Sequence, residues 1–216
     1  MGAISHTISG PTTPSLGAIV LVVSVADVAA GSKERIETVA SDILARRGYN
    51  GMGLKAVSDA AKLPYGSIYH HFPGGKEQIA SSAISTVGEI LKGLLDALFA
   101  GTPPDKAVRA LFDYMAGRLA ESDWTNGCPI GTPAQDGADD SAAVREACSA
   151  AFSYMIDPIA EALVRAGLKK KAAQDLATTV IASYEGATIL AKVQCNDSAL
   201  RATGDAMVRL VRTAVG

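Results

Sequence analysis

From Ser32 onward the apolar residues recur at helical spacing, and no stretch alternates as a half-buried strand would. Ile36, Val39, Ala40, Ile43 and Leu44 fall three or four residues apart and so share one helix face. Ser32 reads as the N-cap of that helix, ahead of a charged first turn, and Arg46-Arg47-Gly48 reads as its end. A turn at 49–53 leads to a short helix near 54–61, a break at Lys62-Leu63, and a second short helix near 65–71 opened by Pro64. Phe72-Pro73-Gly74-Gly75 interrupts it, and Lys76 opens a long helix toward Ala100. A further helix is expected to start at Pro103-Pro104 and run to near Glu121, then a Gly/Pro-rich loop over 126–137. Asp139-Asp140-Ser141 caps the next helix, in which Pro158 predicts a kink or a division. After a break at Gly167 and Lys169–Lys171, the last two helices are expected near 172–194 and 198–215. The expected fold class is all-α.

Composition narrows the class further. The chain has 216 residues, 48% of them hydrophobic, and a formal charge of −2, which argues against disorder over most of its length. The near-zero net charge excludes a uniformly basic nucleic-acid coat but leaves room for a local basic patch. Three cysteines cannot form a disulfide framework, so a reducing, cytoplasmic setting is expected. Residues 1–31 stand apart, with a single charge, Asp27, and an apolar run from Leu16 to Val25. That run lacks a positive flank before it and is too short to span a bilayer, so residues 1–31 are read as a poorly ordered extension with no membrane role.

The informative segment is 32–78. A helix, a short helix, a tight turn and a second short helix follow the helix-turn-helix plan, in which the second short helix enters the DNA major groove. Here that helix carries Tyr65, Gly66, Ser67, Tyr69 and His70. Hydroxyls reach phosphates and base edges, and a glycine lets the backbone approach the duplex. Lys76, at the start of the next helix, adds a cation to exposed backbone N–H groups and so suits a phosphate. Residues 32–78 hold seven Lys/Arg against five Asp/Glu, whereas 79–216 hold thirteen against sixteen, so the asymmetry has the sign DNA requires.

The run Ala60-Ala61-Lys62-Leu63-Pro64-Tyr65-Gly66-Ser67-Ile68-Tyr69-His70-His71-Phe72, followed by Lys76-Glu77, resembles the signature of the TetR family of bacterial transcriptional regulators. Gly51-Met52-Gly53-Leu54, Phe72-Pro73-Gly74-Gly75-Lys76-Glu77 and Gly127-Cys128-Pro129-Ile130 are similar to one branch, the regulators of lincomycin-type and flavonoid-responsive efflux genes. The resemblance implies a homodimer. Each subunit would have a three-helix DNA-binding head over 32–78 and a helical ligand-binding and dimerisation body over 79–216. It implies phosphate contacts from Tyr69 and Lys76, groove-facing positions for Lys55, Tyr65, Gly66, Ser67 and His70, and a dimer interface built from the last two helices. The implied partners are a roughly palindromic double-stranded operator and a small apolar or aromatic effector that releases a repressor from it. Three positions depart from the pattern. Lys62 stands where relatives have Gly, at a cost of about 1–2 kcal/mol if the position is left-handed. Met52 stands where a capping Ser or Thr is common, at about 1 kcal/mol. Tyr65 replaces a frequent Lys.

In the body, five of the eleven aromatics lie within 112–154. Phe112, Met115, Trp124, Phe152, Met155 and Tyr184 are the candidate ligand contacts, weighed against plain core packing, with Asn126 and Gln194 as possible polar partners. An alternative is a thiol redox-responsive regulator using Cys128 or Cys148, although nothing basic flanks Cys128. Another is a helical small-molecule binding protein that has lost DNA binding. No nucleophile–base pair, phosphate loop or metal-ligand spacing is present, so neither an enzyme nor a cofactor is expected.

Overall fold

The computed structural model describes residues 31–216. Those residues form helices α1 (Ser32–Arg47), α2 (Leu54–Ala61), α3 (Tyr65–His71), α4 (Gly75–Gly101), α5 (Pro104–Glu121), α6 (Gly131–Gly137), α7 (Ala142–Arg165), α8 (Lys170–Gln194) and α9 (Ser198–Val215), with no strand among them. The expectation for the extension at 1–30 lies outside the described residues. α1 begins one residue earlier than expected. Gly31 is its N-cap, with no side-chain capping bond, and the Glu34 carboxylate folds back into the space that a side chain at Gly31 would fill.

The head closes around one apolar centre. Ile36, Ala40 and Leu44 of α1, Val57 and Ala61 of α2, and Ile68 and Phe72 of α3 and its C-cap are all at most 2% exposed. Burying the Ile, Leu, Val and Phe side chains among them is worth about 1.5–3 kcal/mol each, enough to hold two helices of only eight and seven residues that would be unstable in isolation. Met52 belongs to this centre: it is 1% exposed, and the N-cap of α2 is Gly53. The capping penalty expected at Met52 therefore does not arise: the residue precedes the cap and serves as apolar core.

The 27-residue α4 runs unbroken from Gly75 to Gly101, so the boundary expected near residue 78 would fall inside a helix. α4 packs on both α1 and α7, and the α4–α7 crossing is close: a Cβ on Gly88 would meet the Ala151 Cβ at 2.8 Å. The body is completed by α5 against α9 and by α8 against both α7 and α9. Buried residues of head and body form one continuous cluster.

One expectation about the body is corrected and another is narrowed. The Gly/Pro-rich stretch contains a helix, α6, rather than loop throughout. Pro133 lies in its first turn, where a missing N–H is harmless, and the Thr132 and Ala134 amides donate to the carbonyls of Cys128 and Ile130. Its composition disfavours helix, and packing supplies the difference: Ile130, Gly131, Pro133 and Gly137 are buried where α6 meets α1 and α7. The helix with Pro158 neither stops nor divides there. The missing N–H leaves the Tyr154 carbonyl without its helical partner, but Met155, Pro158, Ile159 and Leu163 are all buried and hold the segment in place. α7 is also long and apolar enough to cross a bilayer by length and composition, yet half of its most apolar window is buried inside the fold, as befits a core helix.

Candidate nucleic-acid interface

α2 and α3 are joined by a turn that depends on Lys62. Its backbone is left-handed (φ 53°, ψ 44°), as the glycine of related sequences would allow without strain. The Lys62 and Leu63 amides then donate to the Asp59 and Ser58 carbonyls, and the Ser58 hydroxyl donates to the Leu63 carbonyl at 2.7 Å. Leu63 is thereby tied back to α2, and Pro64 (φ −56°) starts α3.

This geometry divides α3 cleanly. Ile68 points into the head, while Tyr65, Gly66, Tyr69 and His70 are exposed and Ser67 is half-buried. Tyr65 and Tyr69 are 49% and 46% exposed and meet edge to face, 5.8 Å between ring centroids. Two large aromatics left in water on one short helix are free to meet a partner. The phenol of Tyr65 is held above its usual pKa by its hydrogen bond to Tyr69, so it remains a neutral donor and acceptor. A Cβ on Gly66 would meet nothing within 4 Å, so the backbone there is open to an approaching duplex. The His70 and His71 rings meet edge-on, and among the described residues no group of His, Cys, Asp or Glu is placed to hold a metal.

Lys55 lies at the start of α2 beside this surface, paired with Asp59 at 2.8 Å. The pair is exposed and therefore weak, so the ammonium is available to a phosphate at little cost. Lys55, Ser58, Asp59, Leu63, Pro64 and Tyr65 line a groove of about 600 Å³. Lys76 sits in the first turn of α4 and is half-buried. Its Nζ donates to the Asn50 carbonyl at 3.3 Å and lies 4.5 Å from the centre of the Tyr49 ring. The structure thus brings Tyr65, Gly66, Ser67, Tyr69 and His70 together on α3, with Lys55 and Lys76 on the helices that flank it.

The six candidate ligand contacts are distributed differently. Phe112, Met115, Met155 and Tyr184 are at most 5% exposed, and Phe112 meets Tyr184 edge to face at 5.7 Å. Trp124 and Phe152 are half-buried against this core. A surface groove of about 530 Å³ between α5 and α9 is lined by Arg109, Asp113, Asp197, Arg201 and Asp205, and none of the six reaches it. Asn126 accepts a hydrogen bond from Arg46 Nε at 2.6 Å, and Gln194 is exposed at the end of α8. Cys128 and Cys148 are both buried, and burial raises both thiols, Cys148 to about 11. Such thiols are poor nucleophiles, which counts against an oxidant switch at either position. Beside Cys128, burial pushes the Glu185 carboxyl up, and its Oε1 is enclosed without a hydrogen-bond partner.

Residues 36–83 match the family of bacterial regulatory proteins of the tetR type, and residues 104–206 match the C-terminal domain of LmrA/YxaF-like transcriptional regulators. The HTH-type transcriptional regulator LmrA of Bacillus subtilis is 30% identical over 170 residues, covering 78% of this chain and 90% of that protein. The chain belongs to the TetR family. It is a helix-turn-helix transcriptional regulator of the LmrA/YxaF-like branch. Solved TetR structures share the fold. A regulator from Legionella pneumophila superimposes with a TM-score of 0.77 at 22% identity, covering 85% of this chain and 98% of that one. A cysteine mutant of the TetR family regulator CifR, in complex with 26 bp of double-strand operator DNA, superimposes with a TM-score of 0.69 at 24% identity, covering 82% and 94%.

The sequence reading missed Tyr49, Asn50 and Asp136, which join the head to the body. Asp136 lies 86 or 87 residues from its partners, so no local spacing could reveal it. The one available signal was Gly48, a helix-ending glycine with φ +69° whose absent side chain leaves room for the Asp136 carboxylate.

Proposed function

We propose that this TetR-family chain is a ligand-responsive repressor that binds a palindromic operator as a homodimer and is released by a small apolar or aromatic effector. The observation that carries the DNA half is the division of α3, whose Ile68 is buried while Tyr65, Gly66, Tyr69 and His70 face water. Tyr69 and Lys76 contact phosphates and set the register, while Lys55, Tyr65, Gly66, Ser67 and His70 face the groove. The two-fold partner is a second copy, received on the apolar side chains that α8 and α9 leave exposed. These are Ile189, Leu190, Val193 and Leu210, between 43% and 77% exposed. The dimer presents its two α3 helices about 34–36 Å apart, one turn of DNA.

The effector enters the body between α5, α7 and α8. Phe112, Met115, Met155 and Tyr184 are packed against the core in the structure described here, so an effector must part them, with Trp124 and Phe152 at the edge of the opening. Binding therefore favours a body conformation other than this closed one, and derepression follows if the heads of that conformation no longer match the operator.

The test is selection of random duplex DNA by the purified, refolded dimer at moderate salt. An enriched palindrome supports the reading and supplies the probe for effector screening. On that probe, Tyr69→Phe and Lys76→Ala lower affinity by similar factors across sequences. A folded dimer that enriches no sequence overturns the DNA half of the reading.

A further inference from the structure

The C-terminal end of α6 holds the turn between α1 and α2. The Asp136 carboxylate accepts two main-chain hydrogen bonds, from the Tyr49 amide to Oδ1 at 2.8 Å and from the Asn50 amide to Oδ2 at 2.9 Å. The Asn50 side chain returns the contact, donating to the Asp136 carbonyl at 2.9 Å and to Asp140 Oδ2 at 3.0 Å. The Gly127 amide donates to the Ala45 carbonyl at 2.9 Å. The fit has no slack. A Cβ on Gly48 would lie 2.4 Å from Asp136 Oδ2, and one on Gly137 would lie 2.6 Å from the Tyr49 Cβ.

The same two residues, Tyr49 and Asn50, also seat Lys76: one gives the ring beneath its ammonium and the other the carbonyl that accepts from it. A chain of contacts therefore runs from a body carboxylate, through two backbone amides, to the cation at the start of α4. The other end of α6 lies on α8, where the Glu185 carboxylate occupies the space that a Cβ on Gly131 would fill. α6 thus has one end on the body and the other on the head.

We infer that Asp136 is a positioning residue for DNA binding, holding the Tyr49–Asn50 turn so that Lys76 is pre-organised for a phosphate. The inference rests on the proposed DNA contact of Lys76. A lysine seated in advance loses little side-chain freedom when it meets the duplex, whereas a lysine on an untethered turn must be ordered at that moment. A carboxylate suits the task because it accepts from both amides at once. An amide in its place offers one accepting oxygen and turns an N–H against the second donor.

The experiment compares wild type, Asp136→Asn, Lys76→Ala and the double variant on the duplex selected by the wild-type protein. Asp136→Asn is expected to weaken binding about tenfold, equally across sequences, while leaving the chain helical and dimeric. In the Lys76→Ala background the same change is expected to have no further effect, because its route to the DNA is gone. Amide exchange at Tyr49 and Asn50 should be slow in the wild type and fast in Asp136→Asn. Unchanged affinity overturns the inference, as do losses that simply add in the double variant. So does a gain in affinity, the result expected if Asp136 were only a charge repelling phosphate. An Asp136→Asn chain that fails to fold or dimerise also overturns it, because the residue is then structural. If the wild type enriches no duplex, the inference falls with the DNA reading, and slow exchange at the two amides identifies that reading as the part that failed.

Discussion

Replacing Lys62 by glycine should make the protein more stable, because a left-handed residue at a helix C-terminus favours glycine. Lys62 is held at φ 53°, ψ 44° by the closure of the turn between α2 and α3. A residue with a Cβ is disfavoured there by about 1–2 kcal/mol. Glycine relieves that strain but surrenders about 0.5–1 kcal/mol of backbone entropy on folding. Midway values of the two give an expected net gain of about 0.75 kcal/mol, with little packing lost because the side chain is exposed. At about 2–4 °C per kcal/mol for a chain of this size, the midpoint should rise by about 1.5–3 °C. The control is Lys62→Ala, which removes the same charge and keeps the strain, so it should stay within about 0.5 kcal/mol of wild type. Lys62→Asn should fall between alanine and glycine, because asparagine tolerates this region better than other residues with a side chain. Thermal unfolding followed by circular dichroism, with a urea titration to check the order, measures all four proteins. If glycine proves no more stable than alanine, the left-handed strain assigned to this turn is wrong.

Further expectations concern the body. Leu210→Glu and Val193→Glu each put a charge on the exposed apolar surface of α9 or α8 and should give helical monomers by light scattering; a variant that remains dimeric would place the interface elsewhere. At pH 8 only the exposed Cys195 should react quickly with a thiol reagent. Cys148, with its pKa pushed up to about 11 by burial, has about one thiolate in a thousand there, and rapid native-state labelling of Cys128 or Cys148 would revive the redox reading. Glu185→Gln should alter the pH dependence of stability. Burial raises this carboxyl above its unfolded value, so its contribution is intact below the unfolded pKa and is lost as pH rises through the folded one. The glutamine variant should therefore gain on the wild type as pH increases from 4 to 7, and parallel stability curves would contradict the buried, ionising Glu185 described here.

Much of this protein is legible in its sequence because local rules and tertiary packing agree in the head. The 3–4-residue apolar spacing of Ile36, Ala40 and Leu44, the stop at Gly48 and Pro64 at the start of α3 each act over a few residues. They fix three helices and the face of α3 left to solvent. Lys62 shows the same logic from the other side: a turn that calls for glycine keeps its left-handed geometry even when a lysine occupies it. The sequence also marked Phe112, Met115, Met155 and Tyr184 as apolar and aromatic, but it could not distinguish packed core from open pocket, since that depends on which helices close over them.

What only the tertiary structure decided lies where packing overrules local preference or joins distant residues. The composition Gly-Thr-Pro-Ala-Gln-Asp-Gly argues against a helix, and α6 forms because its buried side meets α1 and α7. Pro158 argues for a kink or a division, and α7 continues without dividing because Met155, Pro158 and Ile159 are buried. The tie from Asp136 to the Tyr49 and Asn50 amides crosses more than 80 residues of sequence and has no pattern to betray it. Helix caps and apolar periods are short-range and can be read from the chain alone. The contact that joins body to head exists only once both have folded and their surfaces, glycine by glycine, have come within hydrogen-bonding distance.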